Sequence, residues 1–547
     1  MHVLRRLKAI FDTRVIVLLS ILIVVGFYLR SYHSQEGIIF GYDQARDAYR
    51  AQSIAKDLKL KILGPETDIP GAHHGVGYYY ILALAYGRSG SPTQAIHFMI
   101  LIHALAVVLV YILAYLLFTS KRNAIAAASV FAISYEMIQY SRWLSNPSLG
   151  IFTVLITFTG LWLWIKGRST GLTLAFIGAA TSMHFQLFLA YLFMLILAAY
   201  WIYKPKVKRK SLVQGLISAT VILLPFIVAE LKYRFQTTAA FIGYFSGQST
   251  TYREAADFLL KFINRLSSVS YYTLFPVNPV LAFLLLTFLI SALYKKRSVA
   301  GFKYSVPGFL LFCLLCSFPI FIFSTGALNS EFGMLAVSVC LIMIAAYVWS
   351  EFYSRRDLRV WALVAMALFA LVNIRFTLGN ADKGAYIFSV QGAMTYGDEL
   401  DLIDYTYQEA GDKPFSICTV TNPLFINTTW AFLYETYGKN TYGYVPLWAG
   451  NNQTGLLGNL PTDQDKPSLR YLIFEPDNGL PTHTKDMYIR LEDYVSDIAD
   501  EVNFGEFTVQ KRKLLDKKSM EQRKNLYSAD YNKTSAKEDN ILYRCYN

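Results

Sequence analysis

Apolar and polar residues come in blocks along most of this chain. Runs of largely apolar residues recur at 14–32, 95–118, 124–140, 148–165, 171–186, 187–203, 211–229, 273–294, 305–324, 331–350 and 358–377. A helix rises about 1.5 Å per residue, so about 20 residues cross a hydrocarbon core of about 30 Å. The pattern predicts a polytopic α-helical membrane protein of about eleven transmembrane helices. The stretch 77–87 (GYYYILALAYG) is too short to cross alone and reads as a re-entrant or interfacial piece leading into the second span. No small-residue cleavage site follows the first run, which is also longer than a signal-peptide core, so it reads as a retained anchor.

After about residue 378 the pattern changes. A polar helix is predicted at 396–410, strands at 414–420, 470–475 and 504–510, and a loose charged excursion at 515–540. The expected organisation is a membrane domain, 1–378, carrying a catalytic outer loop at 33–76, and a C-terminal extracytoplasmic α/β domain, 379–547. A second outer loop is expected at 230–272, and the spans show no internal repeat.

Charge orients this arrangement. Only 16% of residues are charged, against about 25% in ordinary soluble domains, yet the formal net charge is +13. Arg5, Arg6 and Lys8 precede the first span. Alternation then brings Lys121-Arg122, Lys166/Arg168, the KPKVKRK run at 204–210, Lys295-Lys296-Arg297 and Arg355-Arg356 to that same side. Basic loops stay in the cytoplasm, so the reading is a multi-pass protein of the cytoplasmic (plasma) membrane with its N-terminus inside. The positive charge faces anionic lipid and does not mark a nucleic-acid reader. Five scattered Cys exclude a disulfide framework and a zinc ribbon; pairing of Cys418 with Cys545 in the C-terminal domain stays open.

An acid or base at mid-span costs roughly 2.5–3.5 kcal/mol on insertion scales. The informative polar groups gather at the outer ends of the spans. Asp43 and Asp47 lie four apart in YDQARDAYR, on one helical face with Arg46 and Arg50. They read as a proton-accepting or cation-holding pair, or as a face laced with ion pairs. Next comes IPGAHHGVGYYY, where Gly and Pro force irregular backbone and bring His73, His74 and Tyr78. The two His suit a phosphate, and the tyrosines equally suit an aromatic belt. Glu136 and YSRWLSNPS follow. Arg142 suits bidentate phosphate binding, while Asn146 before Pro147 also suits an ordinary helix start. His184 in HFQ, and Glu230, Lys232 and Arg234 in ELKYR, complete the set, with interhelical hydrogen bonding and snorkelling as their bland readings. No phosphate-cradling loop, HExxH or GxSxG pattern is present.

The order YDQARDAY, IPGAHHGVGYYY and SRWLSNPSL resembles the GT-C-fold membrane glycosyltransferases. The likeness is to the family 39 branch, which includes protein O-mannosyltransferases and the aminoarabinose transferase of lipid A. HFQ and ELKYRF resemble elements of uncharacterised bacterial members. The likeness covers about 1–235 by motif and the later spans by hydropathy.

The resemblance implies a transferase moving a sugar from a polyprenyl-phosphate donor to a hydroxyl or similar nucleophile on a protein, lipid or glycan acceptor, at the outer membrane face. Asp43 matches the family's first-loop acid, acting as base or orienting the acceptor. Arg142, His73 or His74, and Lys232 or Arg234 would neutralise the leaving phosphate. Asn146 stands where the family often has a second acid. Asp47, Glu136 or Glu230 then takes that part, or one acid suffices. The resemblance assigns no cofactor with certainty, and a divalent cation stays open. A flippase for lipid-linked sugars and a non-catalytic envelope scaffold are the alternatives.

Overall fold

The structure, a computed structural model, describes residues 10–67, 69–246, 255–298, 300–317, 331–388, 392–449, 460–462, 467–476, 480–526 and 545. Each expected apolar run contains helix, but the lengths differ from expectation. Among the described residues, six helices are long and apolar enough to cross a membrane: Thr13–Ser31, Pro92–Phe118, Asn146–Ile165, Pro279–Ser298, Phe332–Ser354 and Arg359–Gly379. Arg209–Ile222 and Leu224–Lys232 make a seventh if counted as one span, bent by 53°. Pro225 sits at that bend, where its ring and missing N–H break the ladder. Thr170–Ser182, Leu187–Tyr203 and Val306–Ser317 are apolar but shorter. The chain is a multi-pass membrane protein, and the expected count of eleven is not confirmed.

A local cause divides one of the expected spans. The run at 124–140 divides into Lys121–Ile133 and Tyr135–Ser141 at Ser134, whose backbone is extended. The Ser134 hydroxyl donates to the Thr273 carbonyl at 2.9 Å, and the Tyr135 N–H donates to Asn373 Oδ1 at 2.9 Å, so buried side chains stitch the break. The run at 171–186 stops as helix at Ser182. The loop expected at 230–272 instead carries helices Gln236–Phe245 and Ala255–Leu274. Of the run 305–324, residues 318–324 lie outside the described residues.

Small residues set the closest helix packing. Gly150–Ile165 and Thr170–Ser182 approach so nearly that a Cβ on Gly160 would lie 2.4 Å from the Ala175 nitrogen, and one on Gly171 2.4 Å from that of Trp164. Such contacts carry helix association where lipid is as apolar as the side chains. Leu335–Ser354 is buried along most of its length, whereas Arg359–Gly379 leaves Val360, Trp361 and Leu371 exposed, as a lipid-facing helix does.

Packing divides the chain into two compact units, and the division does not follow chain order. One comprises Met1–Tyr32, Lys59–Ile81 and Ile96–Ala381; the other His33–Leu58, Leu82–Ala95 and Asp382–Asn547. The second unit holds a five-stranded mixed sheet of order β2-β1-β3-β5-β4, with β1 Phe415–Val420, β2 Leu447–Trp448, β3 Leu469–Phe474, β4 Ser496–Phe504 and β5 Phe507–Leu514. β2 and β3 flank β1 in parallel, and β5 pairs antiparallel with β3 and β4.

β1 and β3 lie within a residue of the expected strands. The expected strand at 504–510 instead crosses the β4–β5 hairpin, where Gly505 takes a φ of +54°. β4 was not expected, because Asp497, Asp500 and Glu501 break its apolar pattern; edge strands carry such charge to discourage further pairing. The helix Tyr396–Ala410 matches expectation, while Thr482–Glu492 was not foreseen. Of the predicted loose excursion, Lys517–Leu526 is helical and 527–540 lies outside the described residues. Cys418 and Cys545 form a disulfide. The helix Tyr42–Asp57 packs in this unit: the Tyr49 hydroxyl donates to Glu435 at 2.9 Å, and Phe40, Tyr49 and Tyr86 surround the Phe432 ring.

Candidate functional site

In the membrane unit, three of the sequence motifs meet at one turn. The loop at 64–77 folds back on itself, its Gly64 N–H donating to the His74 carbonyl and its His74 N–H to that of Pro65. It docks on residues 183–187 through the Gly75 N–H, which donates to the Met183 carbonyl at 3.0 Å. His184 presses so closely here that a Cβ at Gly75 would lie 2.4 Å from its Nδ1, and one at Gly77 2.9 Å from its Cβ. The His184 Nδ1 accepts from the Gly77 N–H at 3.1 Å, leaving Nε2 to donate to the Ile222 carbonyl at 2.7 Å. Those partners select the neutral Nε2–H tautomer.

His74 is buried and accepts from the Leu187 N–H at 2.9 Å, while half-buried His73 lies 3.3 Å from the Gly64 carbonyl through Nδ1. Asn146 donates to the Phe185 carbonyl at 2.5 Å, clamping the same turn. Tyr78 is fully buried against Tyr79. The structure thus joins His74, Asn146 and His184, and it does so through backbone-binding side chains.

Glu136 and Arg142 sit beside the break at Ser134. Glu136 is buried and accepts from the hydroxyls of Ser338, at 2.8 Å, and Thr273. Arg142, also buried, donates to the Ala381 carbonyl. Sequence reasoning did not single out Thr273, Ser338 or Asn373, since hydroxyls and amides inside apolar runs are common. It also passed over Arg30 and His103, for which a signal existed: each is ionisable within a predicted span. Arg30 is fully buried and donates from Nη1 to the carbonyls of Gly26 and Ala132 at 3.0 and 2.8 Å. His103 reaches the carbonyls of Met99 and Ser148.

Glu230 spends its carboxylate on a helix start. It accepts from the N–H groups of Thr237 and Thr238, each at 3.1 Å, and from the Thr238 hydroxyl at 2.6 Å, capping Gln236–Phe245 from seven residues upstream. Lys232 and Arg234 are exposed, Lys232 over the Tyr233 ring.

The two acids of YDQARDAY belong to the other unit. Gln44 accepts from the Gly41 N–H at 3.0 Å and opens the helix, so Asp43 falls in its first turn. Arg46 bridges both acids, at 2.8 Å to Asp43 and 2.8 Å to Asp47. Their settings differ sharply: the Asp43 side chain is 63% exposed and that of Asp47 only 3%. Asp43 is therefore open to solvent, while Asp47 is an internal partner of Arg46. Among the described residues, no group of three or more His, Cys, Asp or Glu is placed to hold a metal ion.

No protein-family model and no curated protein matches the chain. Among solved structures, ArnT from Cupriavidus metallidurans bound to undecaprenyl phosphate aligns at a TM-score of 0.57 with 12% identity, covering 91% of this chain and 97% of that one. Its apo form aligns at 0.53, with the same identity and coverage. The likeness spans nearly the whole of both chains, so this protein has the GT-C membrane fold that the sequence motifs suggested.

Proposed function

We propose that this chain is an integral-membrane glycosyltransferase, moving a sugar from a polyprenyl-phosphate donor to an acceptor hydroxyl or similar nucleophile. The observation that carries this reading is the fold shared end to end with ArnT, whose structure holds undecaprenyl phosphate. Asp43 is the proposed base, because its carboxylate is open to solvent and held by Arg46 at the start of a helix. The acceptor oxygen attacks the anomeric carbon as the bond to the lipid phosphate breaks, and Asp43 takes the acceptor's proton. A carboxylate is a weak base at neutral pH, so positioning and charge stabilisation supply most of the rate.

Arg142, Lys232 and Arg234 are the proposed cations for the departing phosphate. Lys232 and Arg234 support that role by their exposure. His74 and His184, with ring nitrogens bonded to backbone, are proposed to shape the loop at 64–77, and His73 and Tyr78 to line the donor side. Asn146 fixes the turn and supplies no second acid, which favours a one-acid mechanism. The C-terminal unit is proposed to face the extracytoplasmic side of the plasma membrane. Its Cys418–Cys545 disulfide supports this, since such bonds persist in oxidising compartments.

The test is transfer by the purified protein from synthetic polyprenyl-phosphate sugars, with Asp43→Asn as control. Transfer that the variant loses supports the reading. Absence of transfer from every donor, together with protein-dependent movement of the lipid across liposomes, would replace it with a flippase.

A further inference from the structure

The C-terminal unit buries an acid for which the proposed reaction has no use. Glu399 lies in the first turn of the helix Tyr396–Ala410, with no exposed surface. Neither oxygen of its carboxyl has a hydrogen-bond partner among the described residues. A second buried acid, Glu475 at the end of β3, acts on it electrostatically, as does Asp398. Glu475 has donors of its own, the Asn422 N–H at 2.6 Å and the Trp430 indole N–H at 3.0 Å. Burial first, and then the neighbouring acids Glu475 and Asp398, push the Glu399 carboxyl well above the usual carboxylate range.

The charged groups on the packed elements do not relieve Glu399. Asp398 accepts from Thr395, and Asp404 on the same helix accepts from Tyr437 and Tyr442. Asp401 is itself pushed up by burial and its acidic neighbours. On the surrounding segments, Glu435 holds Tyr49, Asp500 holds Tyr405, Glu501 holds Gln510, Asp497 holds Arg523, Lys511 holds Glu409, Arg512 holds Asp493, and Lys513 is exposed. A buried carboxylate without cation or donor costs several kcal/mol, and such a group takes a proton instead.

The turn that carries Glu399 also anchors the chain leading to Asp43. The Tyr396 N–H donates to the Ile38 carbonyl at 2.8 Å, and the Phe40 N–H to the Met394 carbonyl at 2.9 Å. The rings of Phe40 and Tyr396 pack with centroids 5.7 Å apart. Gly41 and Tyr42 follow directly and open the helix that bears Asp43.

We propose that Glu399 is held as the neutral acid in the folded protein, and that its proton keeps the Tyr396 turn docked on residues 38–40, making Glu399 a pH-dependent positioning residue for the helix that carries Asp43. When solvent base removes the proton, a buried negative charge appears beside Glu475, and the turn releases segment 38–40 to let water reach it. The latch is a property of the fold and holds whether or not the chain transfers sugar, so its test uses no substrate.

Two measurements on the full-length detergent-solubilised protein decide it. Infrared difference spectra at neutral pH, wild type minus Glu399→Gln, should show the carboxylic C=O stretch of a protonated acid. Hydrogen exchange over 38–57, corrected for intrinsic rates, should lose protection as pH rises, up to tenfold per pH unit for one coupled proton. Glu399→Gln should lose less protection than the wild type over the same range. Glu399→Met tests the charge state from the other side: it should fold as well as the wild type if the acid is neutral. Absence of the protonated-acid band, an equal pH dependence in Glu399→Gln, or unfolding of both variants would overturn the proposal.

Discussion

At the scale of single residues, Asp43 and Asp47 are equivalent by spacing and opposite by setting. Both were legible as candidates, because acids beside a membrane span are rare. Their difference was not, because burial is decided by what packs over the helix, and residues around Phe432 do that from nearly four hundred positions downstream. Asp43→Asn should lower transfer at least a hundredfold, the usual lower range for a general base, and leave the unfolding temperature unchanged, since the side chain is exposed. Asp47→Asn should instead leave Arg46 with its exposed partner Asp43 and destabilise the protein by about 1–3 kcal/mol, as removing one partner of a buried polar contact does. Parallel assays of transfer and thermal unfolding separate the two; comparable loss of stability in both would remove the assignment of Asp43 as the base.

At the scale of elements, helices were legible wherever apolar composition alone sufficed, and their ends were not. Ser134 breaks a predicted span because Asn373 and Thr273 supply partners from far along the chain, which no local pattern records. The glycines of the 64–77 loop were read as forcing irregular backbone; the structure shows that Gly75 and Gly77 are small because His184 lies against them. Gly75→Ala should therefore destabilise by about 1–3 kcal/mol through overpacking. His184→Ala should cost about 2 kcal/mol for its two hydrogen bonds. The double variant should cost less than the sum, and strict additivity in thermal unfolding would contradict the contact.

The second unit carries an element-scale pH dependence. Burial pushes the Glu475 carboxyl up to about 8 from an ordinary 4.5, against the lowering effect of its two donors. Folded Glu475 thus keeps a proton that the unfolded chain has released. Stability is fully present below about pH 4.5 and falls as pH rises toward 8, because the unfolded state then binds fewer protons. Unfolding of the C-terminal unit followed from pH 4.5 to 8 should show this decline, and Glu475→Gln should reduce its slope, the remainder coming from Glu399. A stability that rises over that window would contradict the buried neutral acid.

At the scale of the whole molecule, two observations bear on which side of the membrane each part faces. Basic residues cluster in the loops that alternate with the predicted spans, and a disulfide closes the C-terminal unit across 127 residues of chain. The proposed orientation accounts for the first by placing those loops in the cytoplasm, and for the second by placing the C-terminal unit in an oxidising space on the other side. Both follow from one proposed orientation, which requires an odd number of crossings between the N-terminus and the C-terminal unit. A single cysteine then reports the side directly. In a background with Cys313, Cys316 and Cys340 replaced by alanine and the disulfide kept, Lys413→Cys lies on an exposed turn before β1 and Lys208→Cys in the basic KPKVKRK run. An impermeant thiol reagent should label the Lys413→Cys protein in intact cells and the Lys208→Cys protein only after the membrane is opened. The opposite labelling would invert the topology and move Asp43, whose helix packs in the C-terminal unit, to the cytoplasmic side. Transfer from a donor presented at the outer face would then be impossible for that acid, so the labelling result bears on the chemistry as well as on the fold.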